Sequence, residues 1–369
     1  MRVHILVHQP SQTIPQDISF LTDGKEIVFN YEDLLTETQV MPPNVPICFA
    51  NSVVGAGNRC SLNYCEKNIP TEHYEQFRND ILKHFIHNGQ WEKYIQKKHV
   101  DQRELACINS TKIYTPDNSD INIDNKTNTP IIGVLQRYHN RYILNAEELI
   151  NALVKQKYTV KFFNFDVGCS LPTTAKLLED VDILIGSHGN GMGDGIFMAP
   201  KTTVISIDTR FYSEPWFTYI HTASGRRFYN FQCESGDCQV ADFELAKQLF
   251  ERYGVDMTYH DLLEYMGPKY PSRIIDKYFA GDGRFYSDYY EKDAIRRVEV
   301  EKLVRFVNEI LEELPLVKNK SFVELCEIGK CCGPWCNEAL ERNVFKKGNA
   351  WGGEERTLSA GVINWKAAT

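Results

Sequence analysis

The stretch Val181-Asp-Ile-Leu-Ile-Gly-Ser-His-Gly-Asn-Gly-Met-Gly-Asp-Gly195 passes from a short apolar run directly into a turn rich in glycine. The apolar run is typical of a buried strand, and residues 193–198, which stop before Pro200, predict a short helix after the turn. Open α/β sheets bind ligands at such a turn, beyond the carboxyl end of a strand. Glycine lets the backbone approach a phosphate closely, and a helix N-terminus offers N–H donors. Tight packing of strand against helix is the alternative explanation for the glycines.

Strands and helices alternate on both sides of this turn. Apolar runs predict strands at 131–136, 158–165, 181–185 and 204–208, and amphipathic spacing predicts helices at 146–156 and 171–179. Asn145 is expected to cap the first of these helices with its side chain. Repeated strand–helix units indicate a parallel, Rossmann-like sheet. Residues 240–314 are expected to be mainly helical, with the strongest amphipathic pattern at 294–314.

The chain ahead of residue 131 has a different pattern. Apolar runs predict short strands at 2–7, 27–30 and 45–49, and residues 71–86 have helical spacing with Thr71 as the N-cap. Residues 115–130 lack periodicity and are rich in Asn, Asp, Thr and Pro, which predicts a linker. Because 369 residues exceed one ordinary core, we expect several units. These are an amino-terminal α/β domain (1–120), a Rossmann-like domain (131–235), a helical segment (240–315) and a Cys-rich tail (317–369).

Composition narrows the classes of function. The formal net charge of −8 argues against a general nucleic-acid binder, which needs clustered Lys and Arg. No apolar run approaches the about 18 residues of a membrane span, and the first residues predict a strand and not a signal peptide. The chain as it stands would therefore be cytosolic, whereas a missing amino-terminal anchor would place it in the lumen of the ER or Golgi.

Cysteine usage leaves two kinds of site open. Cys60 with Cys65, and Cys233 with Cys238, are close enough in sequence to be disulfide partners. The tail carries a further cluster that suits either zinc or disulfides. Its members are Cys326, Cys331, Cys332 and Cys336. Metal signals elsewhere are weak, because there is no H-E-x-x-H and the D-x-D at 180–182 precedes a strand, so no metal is expected at the glycine-rich turn.

Two arginines and a histidine could bind an anion near the turn. Arg137 and Arg141 follow the first strand of the same unit and would lie at the carboxyl edge of its sheet. Guanidinium groups suit a diphosphate because they are permanently charged and bind in a bidentate manner. His188, inside the turn, could bond a phosphate or a sugar hydroxyl, or simply pack. The nearest carboxylates, Asp166 and Asp208, each follow or end a predicted strand.

A dinucleotide-binding fingerprint is the rival explanation for the turn. The G-x-G-x-x-G pattern does not fit, since its third glycine falls on Asp194 or on Ile196. Asp208 does stand about 20 residues downstream, where such a fold has its ribose-binding acid. A dinucleotide-dependent oxidoreductase is therefore the weaker alternative.

Two segments together resemble glycosyltransferase family 61. Residues 137–149 resemble its R-x-I-x-N-E-x-E-L-like stretch, and residues 182–200, about 45 residues later, resemble its G-x-H-G-A-G-L-T-N-x-x-F-M-x-P motif. The matching positions are Arg141, Asn145, Gly186, His188, Gly189, Gly191, Phe197 and Pro200. The chain differs from the family at Asn190 (Ala), at 192–194 (Leu-Thr-Asn) and at Ser206 (Glu).

The resemblance implies a GT-B architecture, an α/β fold with two Rossmann-like domains facing a cleft. It implies an inverting transfer from a UDP-sugar co-substrate to a glycan or glycoprotein hydroxyl, with no obligatory metal or further cofactor. Donor-binding residues would then be Arg137, Arg141, Asn145, Gly186, Ser187, His188, Gly189, Asn190, Gly191, Met192, Gly193 and Asp194. Candidates for catalysis are His188, Asp166 and Asp208. The altered residues Asn190 and Ser206 keep a non-catalytic nucleotide- or glycan-binding module open.

Overall fold

Residues 112–363 contain a seven-stranded sheet in the order β3-β5-β4-β6-β7-β8-β9, and all neighbours are parallel except the antiparallel pair β3 and β5. Its strands are β3 (Lys112–Tyr114), β4 (Ile131–Leu135), β5 (Thr159–Phe163), β6 (Ile183–Ser187), β7 (Thr203–Asp208), β8 (Arg227–Gln232) and β9 (Val362–Ile363). A separate parallel pair is formed by β1 (Ile5–Val7) and β2 (Val28–Asn30). The predicted strands at 131–136, 158–165, 181–185 and 204–208 are confirmed as β4 to β7.

The structure is a computed structural model that describes part of the chain. The described residues are 5–7, 28–30, 77–87, 102–116, 129–208 except 139, 217, 221, 226–232, 243–252, 254–267, 271–283, 293–317 except 295, and 362–363. The predicted strand at 45–49, Thr71, nearly all of the linker and nearly all of the Cys-rich tail lie outside them. The two-domain arrangement therefore stays a prediction, whereas the mixed α/β fold is shown.

Helices cover both faces of the sheet. They are α1 (Gln102–Ser110), α2 (Ala146–Lys155), α3 (Leu171–Leu178), α4 (Phe243–Arg252), α5 (Tyr259–Met266), α6 (Ser272–Phe279) and α7 (Val300–Val317). Residues 77–81 are also helical and continue into a π-helix, Leu82–His87. Among the described residues, no helix combines the length and the apolar character that crossing a membrane requires.

Two apolar cores, one on each face of the sheet, hold the helices against it. On one face of the sheet, Leu135, Leu184 and Val204 pack against α3 and the helix at 77–87. On the other face, the alternate strand residues pack against α2 and α7. Helices α4 to α6 build a third core of their own. The sheet edge at the carboxyl ends of β4 to β7 is thus held rigidly from both sides, which is what a binding site at this edge requires.

Two local predictions need correction. Asn145 does not cap α2 with its side chain. Its Nδ2 donates instead to the Val298 carbonyl at 3.0 Å, and its Oδ1 accepts from the Val298 N–H at 2.8 Å. The amphipathic helix predicted from residue 294 begins only at Val300, because the residues before it pair with the chain at 141–145.

A disulfide links Cys107 in α1 to Cys169, which follows a short 3-10 helix (Phe165–Val167) after β5. The two residues are 62 apart in sequence, so spacing alone did not indicate the pair. The predicted pairs Cys60/Cys65 and Cys233/Cys238 lie outside the described residues. Disulfides persist in oxidising compartments, so this bond favours a lumenal or extracellular setting.

Replacing Cys107 and Cys169 by alanine together should lower the free energy of unfolding by about 2–4 kcal/mol, because the cross-link closes a long loop and restricts the unfolded chain. Urea unfolding of the oxidised proteins measures this difference. A double variant as stable as the wild-type protein would show that the bond does not form or does not stabilise the fold.

Candidate functional site

The residues expected at the glycine-rich turn meet at one edge of the sheet. Arg137 and Arg141 follow β4, Asp166 follows β5, the turn follows β6 and Asp208 ends β7. Since these strands are parallel neighbours, their carboxyl ends lie side by side. Sequence order and strand type were enough to predict this convergence.

The two guanidinium groups converge on Gly189. A Cβ atom placed on Gly189 would lie 2.6 Å from Nη1 of Arg137 and 3.1 Å from Nη1 of Arg141. The φ angle of Gly189 is 152°, a conformation that residues with a side chain rarely adopt. Glycine is therefore needed here for two reasons, the backbone angle and the close approach of both arginines.

Each arginine is oriented by its own carboxylate. Nε of Arg137 lies 3.5 Å from Oδ2 of Asp166, and Nε of Arg141 donates to Oδ1 of Asp293 at 2.7 Å. Nη1 of Arg141 also donates to the His188 carbonyl at 3.2 Å. Within the described part of the chain, the Nη atoms of Arg137 and Nη2 of Arg141 have no acceptor. These N–H groups are the donors that remain for an anionic ligand.

His188, in the turn, and Asp208, at the end of β7, are buried close to each other. Their exposed fractions are 1% and 0%, and Nδ1 of His188 lies 3.9 Å from Oδ1 of Asp208. The Ser206 hydroxyl donates to the same Oδ1 at 2.9 Å, and the His188 ring packs against Phe217 at 5.4 Å between centroids. Ser206 replaces the glutamate of the family pattern. Asp208 lies two residues further along the same face of β7, so a carboxylate is still present close to position 206.

The turn is a 3-10 helix, Asn190–Phe197, and not the predicted helix from residue 193. A Cβ on Gly186, Gly191 or Gly195 would lie within 2.5–2.7 Å of a core side chain. Tight packing, the alternative explanation of the turn, is therefore the reason for these three glycines, whereas Gly189 faces the arginines.

The other predicted donor-binding residues have varied surroundings. Met192 is fully buried beneath Gly186, and the Asn145 side chain bonds Val298. Ser187 is buried, and its hydroxyl has no partner among the described residues. Gly193 lies in ordinary contact distance of Phe217, and the Asn190 side chain lies outside the described part. Their roles in donor binding stay predictions.

His221 forms a hydrogen bond to the turn, a role that the sequence did not predict. Its Nε2 lies 2.7 Å from the Met192 carbonyl and donates to it, and its ring stacks on Phe228 at 5.3 Å. Burial lowers the pKa of His221 to about 3, so the ring stays neutral at physiological pH. No local motif surrounds His221 in the sequence, which is why only the fold indicates its role.

Asp194, in the same turn, has a carboxyl group with an unusually high pKa. Burial raises the pKa of its carboxyl to about 7. The family pattern has asparagine at this position. The turn of this chain therefore carries a carboxyl group that changes charge near neutral pH.

Replacing Asp194 by asparagine should stabilise the protein more at pH 8 than at pH 5. The folded pKa lies above the ordinary 3.8, so the folded state loses stability as pH rises from about 4 to 7. The full penalty of up to about 4 kcal/mol is present above pH 7, and the amide avoids it. Urea unfolding at both pH values measures the effect, with Asp180→Asn as an exposed control. An equal difference between variant and wild type at both pH values would contradict the buried titration.

No group of three or more His, Cys, Asp or Glu side chains is arranged to hold a metal ion in the described ranges.

Comparison with known proteins finds a family whose model matches the part of the chain that contains the turn. Residues 35–205 match the family model described as Glycosyltransferase 61. Over this stretch the chain is similar to glycosyltransferase family 61. The resemblance of residues 137–149 and 182–200 to family 61 is thereby confirmed. The match includes Arg137, Arg141, Asp166 and the turn, whereas Asp208, His221 and Asp293 lie beyond it.

One curated protein to which the chain is similar is the alpha-1,3-arabinosyltransferase XAT3 of Oryza sativa subsp. japonica. It is 27% identical over 78 residues. The similarity covers 21% of this chain and 14% of the relative, so the chain spans a small part of that protein's length.

Proposed function

We propose that this chain is an inverting glycosyltransferase that moves a sugar from a UDP-sugar to a hydroxyl of a glycan or protein, without a metal ion. One observation carries the proposal: the guanidinium groups of Arg137 and Arg141 converge on Gly189, and some of their N–H donors have no acceptor among the described residues. A diphosphate carries two or three negative charges and offers acceptor oxygens at the spacing that such donors match. The similarity to glycosyltransferase family 61 supports glycosyltransferase activity in general.

The leaving group determines what the site must do. In a single displacement at the anomeric carbon, the bond to the diphosphate breaks and negative charge grows on the departing UDP. Arg137, Arg141 and the first N–H groups of the 3-10 helix would stabilise that charge in place, without rearrangement. The charges are most useful in a site that excludes water, because the effective dielectric constant there is low.

The acceptor hydroxyl needs a general base, and the three candidates differ in access. Asp208 and His188 are both buried, and their side chains lie 3.9 Å apart, so we assign them to supporting the turn. Asp166 is more accessible, with 27% of its side chain exposed, but it is paired with Arg137. We therefore expect Asp166 to orient Arg137, and the base to come from residues facing this edge across the cleft of a GT-B fold.

The sugar is best found by direct trial. The relative's name indicates arabinose, a pentose, and the family resemblance adds xylose and N-acetylglucosamine. A panel of UDP-sugars, with and without simple saccharide acceptors and read by released UDP, covers these donors. Release of UDP from at least one donor is expected, and more with an acceptor. Binding of NAD with no UDP release from any donor would instead favour the oxidoreductase.

A non-catalytic module is the second candidate, favoured by Ser206 in place of the family glutamate and by the full burial of Asp208. It predicts that UDP binds while no donor in the panel is hydrolysed or transferred. The same panel, together with a UDP titration, separates the two candidates.

A further inference from the structure

A segment distant in sequence forms backbone hydrogen bonds with residues 141–144, which include Arg141. Residues 293–298 precede α7, and we call them the strap; residue 295 lies outside the described part. The Arg141 N–H donates to the Asp293 carbonyl at 3.3 Å, and the Arg296 N–H donates to the Tyr142 carbonyl at 3.0 Å. The Leu144 N–H donates to the Arg296 carbonyl at 2.6 Å. The strap therefore pairs with residues 141–144 as a short parallel bridge.

The far end of the strap is fixed by Asn145. Both atoms of its side-chain amide bond the backbone of Val298, and Ala294 and Val298 are buried. Helix α7 follows directly and packs into the sheet core. The strap is thus anchored at both ends, and Asn145, a position that matches the family pattern, serves to hold it.

The first residue of the strap contacts the site directly. Asp293 bonds Nε of Arg141, and the two side chains are 10% and 15% exposed. The backbone of Arg141 is in the left-handed region, with φ at 55°, which few residues other than glycine adopt. Backbone pairing to the strap holds this conformation, and Asp293 with the His188 carbonyl holds the guanidinium. Among the described residues, Nη2 of Arg141 and the second N–H of its Nη1 then remain for a ligand.

We infer that Asp293 is a positioning residue for donor binding, and that the strap presents Arg141 to the diphosphate. This inference rests on the proposed function and deepens it. The strap lies outside residues 35–205, so the family match does not assign it. Pre-orienting a side chain matters because a displacement of about 1 Å can cost about 100-fold in rate.

Asp293 has two opposite effects on an anion, and they can be separated. Its carboxylate orients Arg141, which favours UDP, and its negative charge repels UDP. Asp293→Asn removes the charge but keeps an acceptor in the same place. Asp293→Glu keeps the charge but moves it by one methylene, and Asp293→Ala removes both.

Titration calorimetry with UDP distinguishes these effects in the full chain. Asp293→Ala and Asp293→Glu should each weaken UDP binding by about 10-fold, whereas Asp293→Asn should stay within about 3-fold of wild type. Asp180→Asn, which breaks an ion pair with Lys161 outside the site, is the control and should bind as wild type does. If the alanine variant does not fold, the glutamate and asparagine variants carry the test. Wild-type affinity in Asp293→Glu, or tighter binding in all three variants, would overturn the positioning role.

A double variant tests whether Asp293 acts through Arg141. In the Arg141→Ala background, Asp293→Ala should not weaken UDP binding further, because no guanidinium is left to orient. An additional loss as large as in the wild-type background would show a merely structural effect and overturn the inference. Absence of UDP binding in the wild-type protein would instead overturn the proposed function itself.

Discussion

Arg141→Ala is expected to lower kcat/KM for sugar transfer by about 1000-fold, the loss typical when a preorganised group facing the developing charge is removed. Arg141 is held by two hydrogen bonds, and its Nη1 lies beside Gly189. Water that replaces the guanidinium would have to reorganise as charge develops on the departing diphosphate. The initial rate of UDP release with the preferred donor and acceptor measures the effect.

The same substitution should also lower stability, since it breaks the largely buried ion pair between Arg141 and Asp293. Arg141→Lys is therefore the better test of chemistry: it keeps the charge but loses the planar fork, and a loss of about 100-fold is expected. Arg273→Ala, an exposed arginine of α6, controls for the loss of a surface cation. Near-normal turnover in Arg141→Ala would remove Arg141 from the diphosphate site.

Gly189→Ala should lower transfer by about 100-fold and weaken UDP binding in parallel. The new Cβ would overlap Nη1 of Arg137 and press on Nη1 of Arg141, so both side chains must move. Their carboxylate partners, Asp166 and Asp293, resist that movement. Parallel measurement of transfer and of UDP affinity distinguishes a displaced binding site from a damaged fold.

Gly254→Ala is the matched control for this prediction. Gly254 also has a positive φ, at 73°, but a Cβ there would meet nothing within 4 Å. Its substitution therefore introduces the backbone strain without the collision, and transfer should remain normal. Equal losses in the two variants would mean that strain and not the arginines explains the effect at Gly189.

The part of the site that is local in sequence could be predicted from the sequence. Strands β4 to β7 have apolar runs, and parallel strands bring their carboxyl ends together, so Arg137, Arg141 and the turn had to meet. The family pattern then supplied the kind of ligand. Even the departures from the family, Asp194 and Ser206, were visible before their surroundings were known.

Contacts between distant residues could not be predicted in this way. Asp293 is 152 residues from Arg141, and Cys107 is 62 residues from Cys169. No periodicity or spacing links such partners. The strap also explains two errors, because Asn145 bonds Val298 and the helix predicted from residue 294 begins after the strap. A tertiary contact replaced the predicted N-cap bond at Asn145, and tertiary pairing prevailed over local helix propensity at residues 294–299.

The most direct test of the central claim is a calorimetric titration of UDP and of NAD into the wild-type protein and into Arg137→Ala and Arg141→Lys. UDP should bind the wild-type protein, bind each variant at least about 10-fold more weakly, and NAD should not bind. Equal UDP affinity in all three proteins, or binding of NAD without binding of UDP, would contradict a diphosphate site at Arg137, Arg141 and Gly189.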